Sequence, residues 1–226
     1  MWTTSEFSTT TSMGSGYDSS SARSADPRAT LPAVEVRELA LDSGVMLRGH
    51  LGHTGEIDSA LLEDCRVLLH VVFEGDMTEA DWEHAVGGMH SIITDGDVVI
   101  GHASVVQRRL LHQSTAWRTG YVEGVGVHPH WQRRGVGKLL MTPLHQIIDA
   151  SYDLGALSAT DAARPLYEGL GWQRWLGPTS AMTPDGAVRT PEEDDGIYVR
   201  PCSPAFLLVV DRTAALCCDW RDGDVW

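Results

Sequence analysis

The stretch YVEGVGVHPHWQRRGVGK, residues 121–138, decides the reading of this chain. It begins as a strand running to Val127, passes through a short turn, and at Gln132-Arg133-Arg134-Gly135-Val136-Gly137 opens an apolar helix. The start of a helix carries unpaired N–H groups and the positive end of the helix dipole, so it attracts anions. Gly135 and Gly137 let the backbone approach a ligand with no Cβ between them, and Arg133, Arg134 and Lys138 add charge beside the same point. This arrangement suits a diphosphate. A Walker loop is excluded, because Lys138 is followed by Leu139 rather than Ser or Thr. A dinucleotide fingerprint is excluded too, since no third glycine follows Gly124-Val125-Gly126 at the required offset. The plain alternative is a strand–turn–helix with a basic cap.

Outward from this core, residues 33–41 alternate loosely and can start a sheet, followed by a Gly-rich turn. Ile57, Leu61, Leu62, Cys65, Leu68, Leu69, Val72 and Phe73 recur at helical spacing and predict an amphipathic helix. Residues 78–86 predict a second, short helix capped by Thr78. Strands are expected at 89–94 and 98–111, joined by the hairpin signal Asp95-Gly96-Asp97, and at 116–127. Residues 136–152 predict a helix in which Pro143 causes a kink or an irregular start. Apolar runs near 156–157 and 172–176 flank a helix at 161–170. A polar acidic loop, 183–196, then leads to strand-like runs at 197–199 and 206–210. Hairpins alternating with helices give a mixed α/β sheet in one domain, residues 32–226.

Residues 1–31 are rich in Ser, Thr and Gly and nearly free of apolar side chains, and are expected to be a disordered tail. They lack the basic and apolar regions of a secretory signal. Four cysteines without metal or disulfide spacing then fit reduced thiols and a cytoplasmic location. No run approaches the ~18 apolar residues of a membrane span. The ten histidines form no ligand pattern, so no metal is expected. Against 17 basic residues stand 31 acidic ones, a formal net charge of −14. That balance disfavours nucleic acid, whose binding requires cations against phosphates. It suits a cationic small-molecule partner, or solubility alone.

The strand followed by Gln-x-x-Gly-x-Gly and a helix resembles the GNAT acetyltransferase superfamily. Within it, the segments GDMTEADWEHAVGGMH, QRRL, GYVEGV, YDLGALS, ARPLYEGLGW, GPTS, RTPEEDDG and CDWRDGDVW resemble the mycobacterial type of aminoglycoside 2′-N-acetyltransferase, from about residue 34 onward. The resemblance implies a mixed, mostly antiparallel sheet with flanking helices and a splayed central strand. It implies acetyl-CoA as cosubstrate, an aminoglycoside or similar polycationic amine as acceptor, and a homodimer. Acetyl-CoA would lie along Val125, Gly126 and Val127 and on the loop formed by Gln132, Arg133, Arg134, Gly135, Val136 and Gly137. Gly124 and Gly126 suit a bulge in that strand, whose freed amides near Val125 would polarise the thioester carbonyl.

Two residues are candidates for the chemistry. Tyr167, in the helix after the strand near Leu157, matches the family's general acid, which protonates the departing thiolate; the alternative is a core aromatic. Glu123, beside the bulge, can take a proton from the acceptor ammonium through a water; the alternative is a solvent-facing strand carboxylate. Asp76, Asp81, Glu123, Gly124, Ser158, Glu193, Asp194, Asp224 and Trp226 with its terminal carboxylate are the candidate acceptor-binding set, since clustered carboxylates give ammonium groups charge-assisted hydrogen bonds. Asp81 could serve only the helix start, and the loop acids only a solvated turn. In the resembling family the C-terminal segment folds back into the cleft. Direct attack in a ternary complex is expected, with Trp131 and Trp172 in the core. The competing readings are a GNAT enzyme acting on another small amine or a protein amine, and a catalytically silent acetyl-CoA- or drug-binding module.

Overall fold

The structure is a computed structural model and describes residues 34–226; the expected tail, residues 1–31, lies outside them. The sheet begins with β1 (Glu35–Ala40), β2 (Met46–His53), β3 (Met89–Asp95), β4 (Val98–His112) and β5 (Thr115–Val127), each antiparallel to the next. Between β2 and β3 lie α1 (Ser59–Val72) and α2 (Glu79–Ala85). Asp58 caps α1, and Thr78 and Asp81 form a reciprocal capping box on α2. The second half comprises α3 (Val136–Ser151), β6 (Leu154–Ser158), α4 (Arg164–Gly169), β7 (Gln173–Arg174), β8 (Thr179–Thr183), β9 (Gly186–Arg189), β10 (Ile197–Pro201), α5 (Pro204–Leu207) and β11 (Leu216–Asp219).

Both faces of the central sheet are covered. Ile93 and Ile100 pack with Val136, Leu140, Met141, Leu144 and Ile148 of α3, whereas their chain neighbours Ile92 and Val99 pack with Cys65 and Leu68 of α1. This two-sided burial is why β3 and the first half of β4 are buried residue after residue rather than in alternation, polar His90, Ser91, His102 and Ser104 included. β6 is parallel to β5 but pairs with it only at Thr119–Leu154, Gly120–Gly155 and Tyr121–Ala156, and its other edge takes antiparallel β10 along Leu154–Ser158. Beyond Tyr121 the two strands part, which is the splay expected of the fold.

Several expectations change at element level. The Gly-rich turn after β1 contains a full strand, β2, whose register against β1 and β3 sets it in mid-sheet. The acidic loop 183–196 contains β9, which folds back on β8 just before it, and a 3-10 turn, Pro191–Glu193. The run 206–210 is not a strand: Ser203 accepts from Phe206 N at 3.1 Å and Pro204 takes the first turn, so a cap and a proline start α5, leaving Leu208 86% exposed. The last strand is instead β11, antiparallel to β4 and parallel to β8. Pro143 lies within one assigned helix, Val136–Ser151. The helix at 161–170 is shorter, Arg164–Gly169, and the run 172–176 yields only β7.

Candidate active site

The cleft opens where β5 and β6 diverge. It encloses about 300 Å³ and is lined by Asp76, Asp81, Glu123, Gly124, Val125, Ser158, Tyr167, Asp224 and Trp226 from the expected set. Phe73, Met77, His84, Tyr121 and Arg221 complete most of its wall.

The bulge in β5 is built as glycine predicts. Against β4 the register passes from Glu123–Ser104 to Gly126–His102, so Gly124 and Val125 together oppose Ala103 and neither has a ladder partner. Gly124 has φ +54°, and a Cβ there would meet Leu69, Ala85 and His102 at 3.2–3.3 Å. Gly126 is closer still, since its Cβ would sit 2.6 Å from Leu69 Cδ2.

Beyond β5, Pro129–Trp131 forms a 3-10 turn, and Gln132 Nε2 donates to Val127 O at 3.1 Å, folding the loop back on the strand end. Gly135 caps α3 at φ +90° with no side-chain cap, and the first helical bond there is Leu139 N to Gly135 O. The amides of Val136, Gly137 and Lys138 therefore precede the first helical hydrogen bond and remain for an anion. Arg133, Arg134 and Gly135 are exposed, while Val136 is buried and locks the loop to the core. Arg134 stacks over Trp131 at 5.4 Å. The residues present fit a pyrophosphate carried on an extended arm along the opened strand.

At the cleft floor, Glu123 accepts from Arg221 Nη1, with the two side chains 13% and 14% exposed. Burial raises the Glu123 carboxyl to about 7, outweighing the opposing pull of Arg221. Arg221 also donates to Asp224 O and Trp226 O, both at 2.8 Å. Arg108, 5% exposed, donates to Asp219 and to Val225 O and stacks on Tyr121 at 4.6 Å. Two arginines thus hold residues 219–226 against the cleft, and the buried indole of Trp226 donates to Thr190 Oγ1 at 2.9 Å. Arg221 was not among the residues expected at the site. Its one signal was a lone cation in an otherwise acidic, aromatic terminus.

Tyr167 is 4% exposed and lines the cleft with its ring against Trp172 and Tyr198; burial pushes its hydroxyl up, so it keeps its proton. Glu193 is not among the cleft-lining residues; it accepts from Ser158 Oγ, and burial and then Asp224 raise its carboxyl. Asp81 shares its duty, since its Oδ2 accepts from Thr78 N while the side chain also faces the cleft. Asp194 is not brought to the cleft. Its carboxylate accepts from Thr179 N and Oγ1 at 2.8 and 2.9 Å and pairs with Arg189, so it ties the β8–β9 hairpin down. Trp172 is buried and donates to His145, and Trp131 packs at the core's edge. Among the described residues no cluster suited to a metal ion occurs, and no helix is long and apolar enough to cross a membrane.

A family model described as an acetyltransferase (GNAT) domain matches residues 56–175. The chain is also 46% identical over 183 residues to an aminoglycoside 2′-N-acetyltransferase of Mycolicibacterium fortuitum, covering 81% of this chain and 94% of that one. The chain belongs to the GNAT acetyltransferase family. As a GNAT acetyltransferase it shares its fold with an Escherichia coli GNAT family N-acetyltransferase solved in complex with CoA, at 16% identity and a TM-score of 0.53 over 85% of this chain and 93% of that one. The splayed strands and the bulge of this GNAT domain shape its cleft, and the glycine-opened helix starts beyond the end of the bulged strand.

Proposed function

We propose that this chain transfers the acetyl group of acetyl-CoA to the 2′-amine of aminoglycosides. The observation that carries the reading is the meeting of an anion-binding helix start and a cleft edged by Asp76, Asp81, Glu123 and Asp224 at one splayed strand. The name borne by the Mycolicibacterium fortuitum relative supports the acceptor. Acetyl-CoA supplies an acyl thioester open to attack by an amine. The loop 132–137 binds its pyrophosphate, and the opened edge at Val125, Gly126 and Val127 pairs with its arm.

The acceptor is a polycation, and the carboxylates hold its ammonium groups by charge-assisted hydrogen bonds. Glu123, with a carboxyl near 7, receives a proton from the 2′-ammonium at neutral pH, directly or through one water. For this the acceptor's cation displaces Arg221 from one carboxylate oxygen. The Tyr167 hydroxyl gives a proton to the departing sulfur. A homodimer and a cytoplasmic location complete the proposal, resting on the family resemblance and on four free thiols.

The test is thiol release from acetyl-CoA across aminoglycosides with a 2′-amine or a 2′-hydroxyl. The 2′-amines are expected to react and the 2′-hydroxyl compounds to react poorly, with products mapped by mass spectrometry and NMR. Equal rates on both, or acetylation at another nitrogen, overturn the 2′ assignment.

A further inference from the structure

A chain of buried hydrogen bonds ends on the bulge. His102 Nδ1 lies 2.7 Å from Gly124 O, His102 Nε2 lies 2.9 Å from His90 Nδ1, and His90 Nε2 lies 2.7 Å from Thr54 Oγ1. Thr54 Oγ1 in turn accepts from Gly87 N at 2.8 Å. Both imidazoles are fully buried, and neither has a carboxylate partner.

The direction of this chain follows from its end. A carbonyl can only accept, so His102 Nδ1 donates to Gly124 O. Its ring is neutral, hence Nε2 accepts, His90 Nδ1 donates, and His90 Nε2 accepts from the Thr54 hydroxyl. Burial lowers both rings, His90 to about 3 and His102 to about 4, so neither charges near neutral pH. A proton on His102 Nε2 as well would require His90 to take its other tautomer and the Thr54 hydroxyl to turn to Gly88 O, 3.3 Å away.

The consequence falls on the next amide. In a trans peptide the carbonyl and the following N–H point in opposite directions, and no peptide among the described residues is cis. With Gly124 O turned to His102 of β4, the Val125 N–H faces away from β4. That is the side where β6 has parted from β5, and Val125 lines the cleft there. Neither residue has a ladder partner, so sheet pairing does not hold this peptide plane. Turned over, it would present a carbonyl oxygen to the reaction centre.

We propose that His102, backed by His90 and Thr54, is a positioning residue that holds the Gly124 carbonyl and so aims the Val125 N–H at the acetyl carbonyl. This rests on the proposed function, in which that amide takes the charge developing on the thioester oxygen. Three measurements test it. First, 15N spectra of ring-labelled protein are expected to show both rings neutral with the proton on Nδ1 from pH 5.5 to 8; the Nε2–H form at His102 overturns the arrangement whatever the substrate is. Second, the Val125 amide proton is expected to move downfield on adding acetyl-CoA without an acceptor, and to move less in His102→Leu; equal shifts in both overturn it.

Third, His102→Leu is expected to lower kcat by about 10²-fold, the cost of losing one oxyanion donor, with KM for acetyl-CoA within about twofold. His102→Asn, whose amide can take the place of Nδ1, is expected to recover most of that loss although it leaves the same cavity beside His90. A folded His102→Leu protein with parental kcat, or equal losses in both variants, overturns the positioning role. If His102→Leu does not fold, the ring spectra and the Val125 shift of the parent protein still decide. An inactive parent with Nδ1–H rings and a shifted Val125 amide would count against the acceptor alone.

Discussion

Arg221 Nη1 donates to Glu123 Oε1 although 98 residues separate them, and both side chains are nearly closed to solvent. One arginine thereby joins the base candidate to the segment that closes the cleft, through its bonds to Asp224 O and Trp226 O.

Removing that cation should show in the pH profile. The Glu123 carboxyl stands near 7 because burial raises it and Arg221 partly offsets this, so Arg221→Leu raises it further. The base form is the ionised one, so log kcat/KM is expected to rise with pH up to about 7 in the parent and to level above it. In Arg221→Leu this limb moves to higher pH, with a loss at pH 7 of about fivefold for the first unit of displacement and about tenfold for each further unit. Glu123→Gln loses the limb and about 10²-fold in rate. Unmoved limbs in both variants would assign the titration to the acceptor amine.

Tyr167→Phe should separate chemistry from packing. The ring lies among Trp172 and Tyr198, and phenylalanine keeps that volume. Turnover is expected to fall about 10²-fold while calorimetric affinity for CoA and the melting temperature stay near parental values. Parental turnover would mean that solvent protonates the thiolate.

At Gly135 the backbone and the charge can be tested apart. Its φ of +90° disfavours any side chain, but a Cβ there meets nothing within 4 Å. Gly135→Ala should therefore cost about 1–2 kcal/mol of stability through backbone strain alone. Gly135→Asp places a carboxylate on the free amides of α3 and is expected to weaken CoA binding at least about tenfold, or 1.4 kcal/mol. Unchanged affinity in folded Gly135→Asp, measured by calorimetry, would remove the pyrophosphate from this loop.

Asp224 and Asp194 are predicted to behave in opposite ways. Asp224→Asn keeps an oxygen for Trp226 N, 3.0 Å away, and should raise KM for a 2′-amino aminoglycoside without lowering the melting temperature. The salt dependence of KM should weaken with it. Asp194→Ala strands the N–H of buried Thr179, whose hydroxyl keeps Thr190 O at 2.7 Å, and is expected to lower stability by about 1–3 kcal/mol while leaving KM near the parental value. A raised KM in Asp194→Ala with unchanged stability would return Asp194 to the acceptor set.

Much of the fold was legible where neighbours in sequence carry the signal. The period of α1, the Thr78 cap of α2 and the Asp95-Gly96-Asp97 turn all act within a few residues, and each element stands where its signal lies. β2, β8, β9 and β11 had no strand signal of their own: β11 forms only between Leu110–His112 of β4 and Thr179–Met182 of β8, a pairing at long range, whereas β9 pairs with β8 alone across a tight turn inside a polar, acidic run. The run 206–210 misled in the other direction. A β-rich composition gave way to Ser203, Pro204 and an exposed position outside the sheet.

The local chemistry of residues 121–138 was determined by the sequence alone, because glycine torsions, free helix amides and adjacent arginines need no distant partner. The tertiary structure alone decided three things. It set Arg221 on Glu123, it turned Asp194 away to Thr179, and it lined Thr54, His90 and His102 up behind Gly124. Each depends on the register between strands far apart in the chain, fixed by which side chains the two faces of the sheet must bury. A carboxylate or an imidazole has the same local signature whether it faces a substrate, an arginine or another ring. Only packing selects among them.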